Sequence, residues 1–336
     1  MVSIHACHLE KKQFLANIAE NTPFMKEKIL ITGGAGYLGS IMVPTMLEKG
    51  YEVTVFDNLM FQQNTLLECC THPNFHFINA DVRNTQRLKD AMKGKDVIIP
   101  LAALVGAPLS NKDENSTIAI NRDAVIAINK MRSKEQRILF PTTNSGYGIG
   151  QEDIFCTEET PLNPISLYGT TKTEAEQDLL QSENVITFRL ATVFGCSPRM
   201  RLDLLVNDFT YRAFSQKYIV LFEAHFKRNY IHVRDVTKAF LFGLEHFDQM
   251  KNQTYNVGLS TANLSKMELC LEIKKQIPDF FITESEINKD PDQRNYIVSN
   301  DKIEAFGYRP DHDIQSGITE LIKGFSILTP NKYSNI

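Results

Sequence analysis

Ile29-Leu30-Ile31-Thr32-Gly33-Gly34-Ala35-Gly36-Tyr37-Leu38-Gly39 is the stretch that decides the fold. An apolar run ends in closely spaced glycines and passes into an amphipathic segment, which predicts strand, tight turn and helix. Such a turn needs backbone angles that side chains disfavour. A Cβ there would also hold the chain away from a pyrophosphate seated on the positive end of the helix. A second apolar run, residues 51–56, ends at Asp57, 18 residues after Gly39. A carboxylate at about that spacing takes ribose hydroxyls, so the turn residues Gly33, Gly36, Tyr37 and Leu38 together with Asp57 are expected to bind a dinucleotide. Asp57 would repel a 2′-phosphate, and Asn58-Leu59-Met60 offers no cation to hold one, so NAD is expected rather than NADP. Asp81, followed by Val82, is placed to meet the adenine edge; the alternative is a helix N-cap or a loop carboxylate.

Outward from the turn, short β-rich runs at residues 75–78, 96–101, 137–140 and 185–190 alternate with helical patterns at 85–92, 118–131 and 168–181. Alternation of this kind implies an α/β fold, a Rossmann doubly wound parallel sheet. Beyond Gly195 the order is less regular: a helix at 202–214, a strand at 218–221, a strand-to-helix passage at 230–245, and helices at 266–276 and 314–323. The expected division is a flexible N-terminal extension over 1–24, an NAD-binding part over 25–194 plus about 230–256, and a smaller, discontinuous substrate-binding part over 195–229 plus about 257–330. Phe14, Leu15 and Ile18 fall at helical spacing, and His5-Ala6-Cys7-His8 has the residue types of a metal site. A flexible segment, or a start at Met25, is the reading preferred there, and no metal is expected.

The chain has 336 residues, enough for roughly two domains at about 150 residues each. With 43% hydrophobic and 23% charged residues it falls among ordinary globular proteins. Thirty-six Lys and Arg against 40 Asp and Glu give a net charge of −4, which argues against bulk electrostatic binding of nucleic acid. Six scattered cysteines without a CxxC pair suit a reducing compartment, and no apolar run approaches the roughly 20 residues of a membrane span, so a cytoplasmic protein without a membrane partner is expected.

Tyr168-Gly169-Thr170-Thr171-Lys172 puts a phenol and an ammonium one helical turn apart, on one face. A free phenol titrates near 10, so a phenolic base at neutral pH needs positive charge beside it. Taken together, Thr32-Gly33-x-x-Gly36-x-x-Gly39, Tyr168-x-x-x-Lys172 and Arg228-Asn229-Tyr230-Ile231-His232-Val233-Arg234-Asp235 resemble the extended short-chain dehydrogenase/reductase family, the epimerases, dehydratases and dehydrogenases of nucleotide sugars. The resemblance runs from about Lys28 to Phe325. More narrowly, Asn144-Ser145-Gly146-Tyr147-Gly148-Ile149-Gly150, Arg189-Leu190-Ala191-Thr192-Val193-Phe194-Gly195 and residues 198–207 resemble bacterial GDP-heptose 4-dehydrogenases.

The resemblance implies that Tyr168 takes the proton of a sugar hydroxyl while hydride passes to nicotinamide, that Lys172 binds the nicotinamide ribose and lowers the Tyr168 pKa, and that Thr143 bonds the reacting hydroxyl. It places Leu101, Ala102 and Ala103 along the cofactor, with Asn58 beside Asp57. Asn121 matches a family Asn, although helix packing explains it equally. Arg228 matches an Arg on the nucleotide diphosphate, which Arg294 is expected to join, since a planar fork suits phosphates. Asn207 is a candidate for the diphosphate or sugar, and Arg199 and Arg201 are weaker ones.

Two positions depart from the family pattern. Dehydratases carry an Asp-Glu pair directly after the catalytic Thr, where this chain has Asn144 and Ser145. Neither is a carboxylic acid, so dehydration is disfavoured and the two become candidate sugar contacts. Thr192 stands where many relatives have a substrate-binding Asn. The expectation is therefore an NAD-dependent enzyme that oxidises the C4 hydroxyl of a nucleotide-diphosphate sugar, a GDP-heptose 4-dehydrogenase by the narrower resemblance. The alternatives are a nucleotide-sugar 4-epimerase or, from another class, a noncatalytic NAD-binding sensor or scaffold. The helices at 118–131 and 168–181 correspond to those that pair in family dimers, so a homodimer is expected.

Overall fold

A computed structural model of the chain describes residues 27–62, 64–151, 153–285 and 293–328. The expected extension, with its His5, Cys7 and His8, lies outside them. Seven strands form one parallel sheet: β1 (Lys28–Thr32), β2 (Glu52–Asp57), β3 (Phe75–Asn79), β4 (Val97–Pro100), β5 (Arg137–Thr143), β6 (Val185–Leu190) and β7 (Gln253–Val257). Their order across the sheet is β7-β6-β5-β4-β1-β2-β3. This is the doubly wound arrangement, in which the chain reverses direction across the sheet between β1 and β4. Strands β4 and β6 are buried along their whole length, as a sheet covered on both faces requires.

One face carries α1 (Gly39–Glu48) and the helix Val233–Glu245, and its core runs on without a break into the helices Leu205–Ser215, Lys266–Gln276 and Ile314–Phe325. The other face packs the helices Thr85–Met92 and Ala124–Met131 and the helix Leu167–Leu179, here α2, through Leu88, Ile128, Ala175 and Leu179. Small sheets complete the C-terminal half: Lys227–His232 lies between Thr192–Phe194 and Asn263–Ser265, Tyr218–Phe222 pairs with Phe281–Ser285, and Phe155–Cys156 with Ile297–Val298.

Most predicted elements are present, and the differences have local causes. The helix expected over 118–131 is broken by a π-helical turn, Ala119–Asp123, which points Asn121 inward. Strand β7 was not foreseen because Gln253-Thr254-Tyr255-Asn256-Val257 is half polar; Thr254 bonds Thr187 of β6 at 2.7 Å, and Asn256 enters a buried network. Helix α2 starts where Ser166 accepts from the Gly169 N–H, a side-chain cap that fixes the phase of everything after it. Within the chain α2 packs on the 119–131 segment, with Arg122 paired to Glu174 at 3.0 Å and Asn129 bonded to Asp178.

The glycines of the opening turn are needed for close approach. A Cβ on Gly33, whose φ is +69°, would lie 2.5 Å from the Ala102 nitrogen, and one on Gly39 would lie 2.2 Å from the Gly34 oxygen. Backbone atoms cannot give way as a flexible side chain can. Gly39→Ala is expected to lower stability by about 3 kcal/mol, the upper end of what overpacking costs, and to weaken NAD binding. Denaturant unfolding and a cofactor titration of the variant check both effects.

Candidate active site

The ends of β1, β4 and β5, the starts of α1 and α2, and the segments 190–208 and 293–296 surround one cavity of about 950 Å³. This is the crevice beyond the carboxyl ends of the strands where open α/β sheets hold ligands, and its volume is at the upper end of the roughly 300–1,000 Å³ of small-molecule sites.

At one end lie Gly33, Gly36, Tyr37 and Leu38, and across from them Leu101, Ala102 and Ala103. Asp57 closes β2 at the same end and accepts the N–H groups of Ala35 at 3.0 Å and Leu59 at 2.8 Å. Burial raises its pKa against those two bonds. The carboxylate keeps lone pairs for further donors, so glycine backbone, helix start and Asp57 together fit the pyrophosphate and one ribose of a dinucleotide. Asn58, Asp81 and Val82 also line the cavity. Asp81 is gripped by Arg83 at 2.7 Å and takes a bond from Asn58, which holds its carboxyl down at about 2. It caps no helix, because Asn84 caps Thr85–Met92.

In the middle of the cavity stand Thr143, at the end of β5, and Tyr168 and Lys172 on α2. Burial raises the Tyr168 phenol above its ordinary value, and the groups that oppose burial most are Arg201, Arg294 and the Thr143 hydroxyl. The Lys172 Nζ sits 3.8 Å from the centroid of the Phe140 ring. One turn further on, Glu176 is 1% exposed and accepts Arg189 of β6 at 2.6 and 3.0 Å. Arg189 also reaches the Tyr147 hydroxyl, which donates to Asn256 of β7.

Beyond Tyr168 the wall is cationic: Arg199, Arg201, Arg228, Lys266 and Arg294 line it with Thr192, Ser145 and Tyr296. Arg228 is buried, donates to the Lys227 carbonyl and lies 5.5 Å from the Tyr296 ring. Arg201 forks onto Asp203 at 2.5 and 3.2 Å. Arg294 donates to the Ser145 hydroxyl, beside Thr143.

Three predicted site residues are not brought to the cavity. Asn121 clasps the Leu104 backbone from both sides, at 2.8 and 2.9 Å, and so supports the cavity wall as a packing residue. Asn207 bonds the Gly195 N–H, the Tyr37 hydroxyl and the Arg201 carbonyl, bracing the loop that carries the two arginines. Asn144 turns into the protein, 1% exposed. Conversely, Tyr296 and Lys266 gave no sequence signal, while Arg199 and Arg201, the weaker candidates because a solvated loop would look the same in sequence, are 2% and 7% exposed and line the cavity. Their one hint is position, just after a strand that ends at the ligand-binding edge of the fold.

Among the described residues His232, Asp235 and His312 bring metal-ligand types together. Each already has partners: His232 bonds Glu320 at 2.7 Å, Asp235 accepts the N–H groups of Asp311 and His312, and the two imidazoles stack at 4.2 Å. The group latches the start of the helix Val233–Glu245 to the C-terminal segment.

The sequence profile of the NAD dependent epimerase/dehydratase family matches residues 29–258. The chain belongs to that family. Its cofactor is accordingly NAD, in agreement with the glycine cradle and Asp57. Among relatives, the UDP-glucose 4-epimerase of Streptococcus mutans is 28% identical over 316 residues, covering 85% of this chain and 92% of that protein. The fold is shared with the UDP-glucuronic acid 4-epimerase of Bacillus cereus, solved with UDP-glucuronic acid and NAD, at a TM-score of 0.79, 21% identity, and coverage of 90% and 100% of the two chains. It is shared as well with the UDP-glucose 4-epimerase of Thermotoga maritima, at 0.77 and 22%, covering 89% and 99%. No helix among the described residues is long and apolar enough to cross a membrane.

Burial pushes Lys172 down from its ordinary 10.5 to about 7, with Glu176 opposing. Between these values the unfolded chain holds a proton that the folded chain has released, so stability rises with pH across that window. In NAD-free protein, Lys172→Met should therefore unfold at a higher temperature than the unaltered protein near pH 7, and the gap should narrow toward pH 10. A gap independent of pH in thermal melts means that folded Lys172 keeps its proton throughout.

Proposed function

We propose that the chain oxidises the C4 hydroxyl of a nucleotide-diphosphate sugar. The observation that carries this reading is the Thr143, Tyr168 and Lys172 constellation, set between a dinucleotide cradle and a cationic wall in one cavity. Thr143 holds the hydroxyl and Tyr168, as phenolate, takes its proton. NAD, when bound, supplies the acceptor for the hydride that leaves C4. Lys172 lies where it can hold the nicotinamide ribose, and Arg228 is assigned to the diphosphate, where a fixed planar donor is favoured. Residues 25–194 and about 230–256 would hold the cofactor, residues 195–229 and about 257–330 the sugar nucleotide, and the working unit would be a homodimer.

Removal of water from the sugar has no support in the residues. In place of a carboxylic acid pair, Asn144 is turned inward and the Ser145 hydroxyl is bonded to Thr143 and Arg294. The activities of the relatives favour return of the hydride to the opposite face, a 4-epimerase. The second reading, a 4-dehydrogenase acting on a GDP-heptose, draws on the local resemblance of residues 144–150, 189–195 and 198–207. Arg201 and Arg294 favour it physically. Both line the cavity with the phenol, and a 4-keto sugar held between two guanidiniums would resist the turn that epimerisation demands.

Incubation with UDP-sugars and with GDP-heptose, followed by proton NMR, separates the outcomes: a sugar inverted at C4 marks the epimerase, and a 4-keto sugar with equivalent NADH marks the dehydrogenase. Tyr168→Phe should lower turnover by roughly 10²–10⁴-fold, the usual worth of a positioned base, and leave NAD affinity unchanged. Unchanged turnover removes Tyr168 from the chemistry, and no turnover of any nucleotide sugar by the intact protein favours an NAD-binding scaffold.

A further inference from the structure

Arg294 is held in place by its neighbour in sequence. Asn295 accepts the Gly150 N–H through its carbonyl at 2.8 Å and the Lys227 N–H through its side chain at 2.8 Å, and Ile297–Val298 then pairs with Phe155–Cys156. From this fixed backbone the Arg294 guanidinium donates to the Ser145 hydroxyl oxygen. Ser145 is 1% exposed and lines the cavity. Its oxygen also accepts from the Thr143 hydroxyl at 2.9 Å, while its N–H donates back to the Thr143 oxygen at 3.1 Å. Thr143 in turn lines the cavity beside Tyr168 and lowers the phenol's pKa against burial. A hydrogen-bonded path therefore runs from a permanent cation through the Ser145 hydroxyl to Thr143, next to the phenol.

We propose that Arg294 is a positioning residue for the oxidation step: by gripping Ser145 it fixes the Thr143 hydroxyl against Tyr168 and sets a guanidinium beside the base. The inference rests on the reading of Tyr168 as that base. It assigns Arg294 to the reacting end of the sugar, not to the diphosphate that Arg228 serves. The Ser145 hydroxyl hydrogen, left over after its oxygen has accepted two bonds, can reach a substrate oxygen, which gives the serine at this position a use that the acid of a dehydratase could not share. The charged and titratable groups facing the phenol are Arg201 from the segment after β6, Arg294 and Tyr296 from the segment before Ile297, and Lys172 on its own helix. Of these, Arg201 is offset by Asp203.

The test is the alkaline titration of Tyr168 by tyrosinate absorbance in NAD-loaded protein, taken as the difference from Tyr168→Phe. No sugar is required, so the result stands apart from whether any nucleotide sugar is turned over. Arg294→Gln should raise the midpoint by about one unit, a tenfold gain in proton affinity, and Ser145→Ala should raise it by less. Arg294→Lys, which keeps the charge but not the planar grip, should fall between Arg294→Gln and the unaltered protein. Ser145→Ala and Arg294→Lys keep the test alive should Arg294→Gln fold poorly. An unmoved midpoint in the variants overturns the proposal, and weaker binding of UDP and GDP with an unmoved midpoint returns Arg294 to the diphosphate. A phenol that never ionises while the unaltered protein stays folded removes the base assignment, and the inference with it.

Discussion

A guanidinium and a carboxylate buried together, Arg189 on β6 and Glu176 on α2, tie the chemical helix to the sheet. Both have almost no contact with solvent, and removal of either partner would leave an uncompensated buried charge, at a cost of about 3–5 kcal/mol. The pair fixes the rotation of α2, and that rotation decides where Tyr168 and Lys172 emerge, because both stand on the same stretch of helix one or two turns earlier. Arg189 also reaches Tyr147 and the Glu158 carbonyl, and Tyr147 reaches Asn256, so one side chain joins β6, β7, α2 and the loop that follows Thr143.

Around that anchor, the two ligand-binding ends are joined by polar hooks. The Tyr37 hydroxyl donates to the Gly195 carbonyl at 2.7 Å, Ser197 bonds both Ser40 and the Tyr37 carbonyl, and Asn207 braces the same loop. The cofactor turn and the arginine-bearing segment 195–203 are thus registered to each other within hydrogen-bond distances. A hydride transfer needs such registration, since reacting atoms must be held near 3–3.5 Å.

The parallel sheet was legible because its strands are buried on both faces and read as apolar runs, and because glycine spacing has a backbone cause that no side chain can imitate. Thr143, Tyr168 and Lys172 were legible through one helical turn and a strand end. The amides were not. Asn121 and Asn207 stand near the right motifs but bond backbone groups, and Asn144 is buried away from the cavity, which only the fold shows. Arg199 and Arg201 were only weak candidates, because a charge in a loop looks solvated until the loop is seen folded over a cavity. Arg294 is a candidate from the sequence, but the Ser145 that it bonds lies 149 residues away. No local spacing carries a contact of that kind.

The most direct test of the account follows the hydrogen on C4. A nucleotide sugar that the protein converts, deuterated at C4, is mixed with excess enzyme for a single turnover, quenched, and the nicotinamide weighed by mass spectrometry. Oxidation by the Thr143, Tyr168 and Lys172 site predicts deuterium on the nicotinamide during the turnover. Conversion of the sugar with deuterium never leaving it, or leaving only to water, would contradict the account.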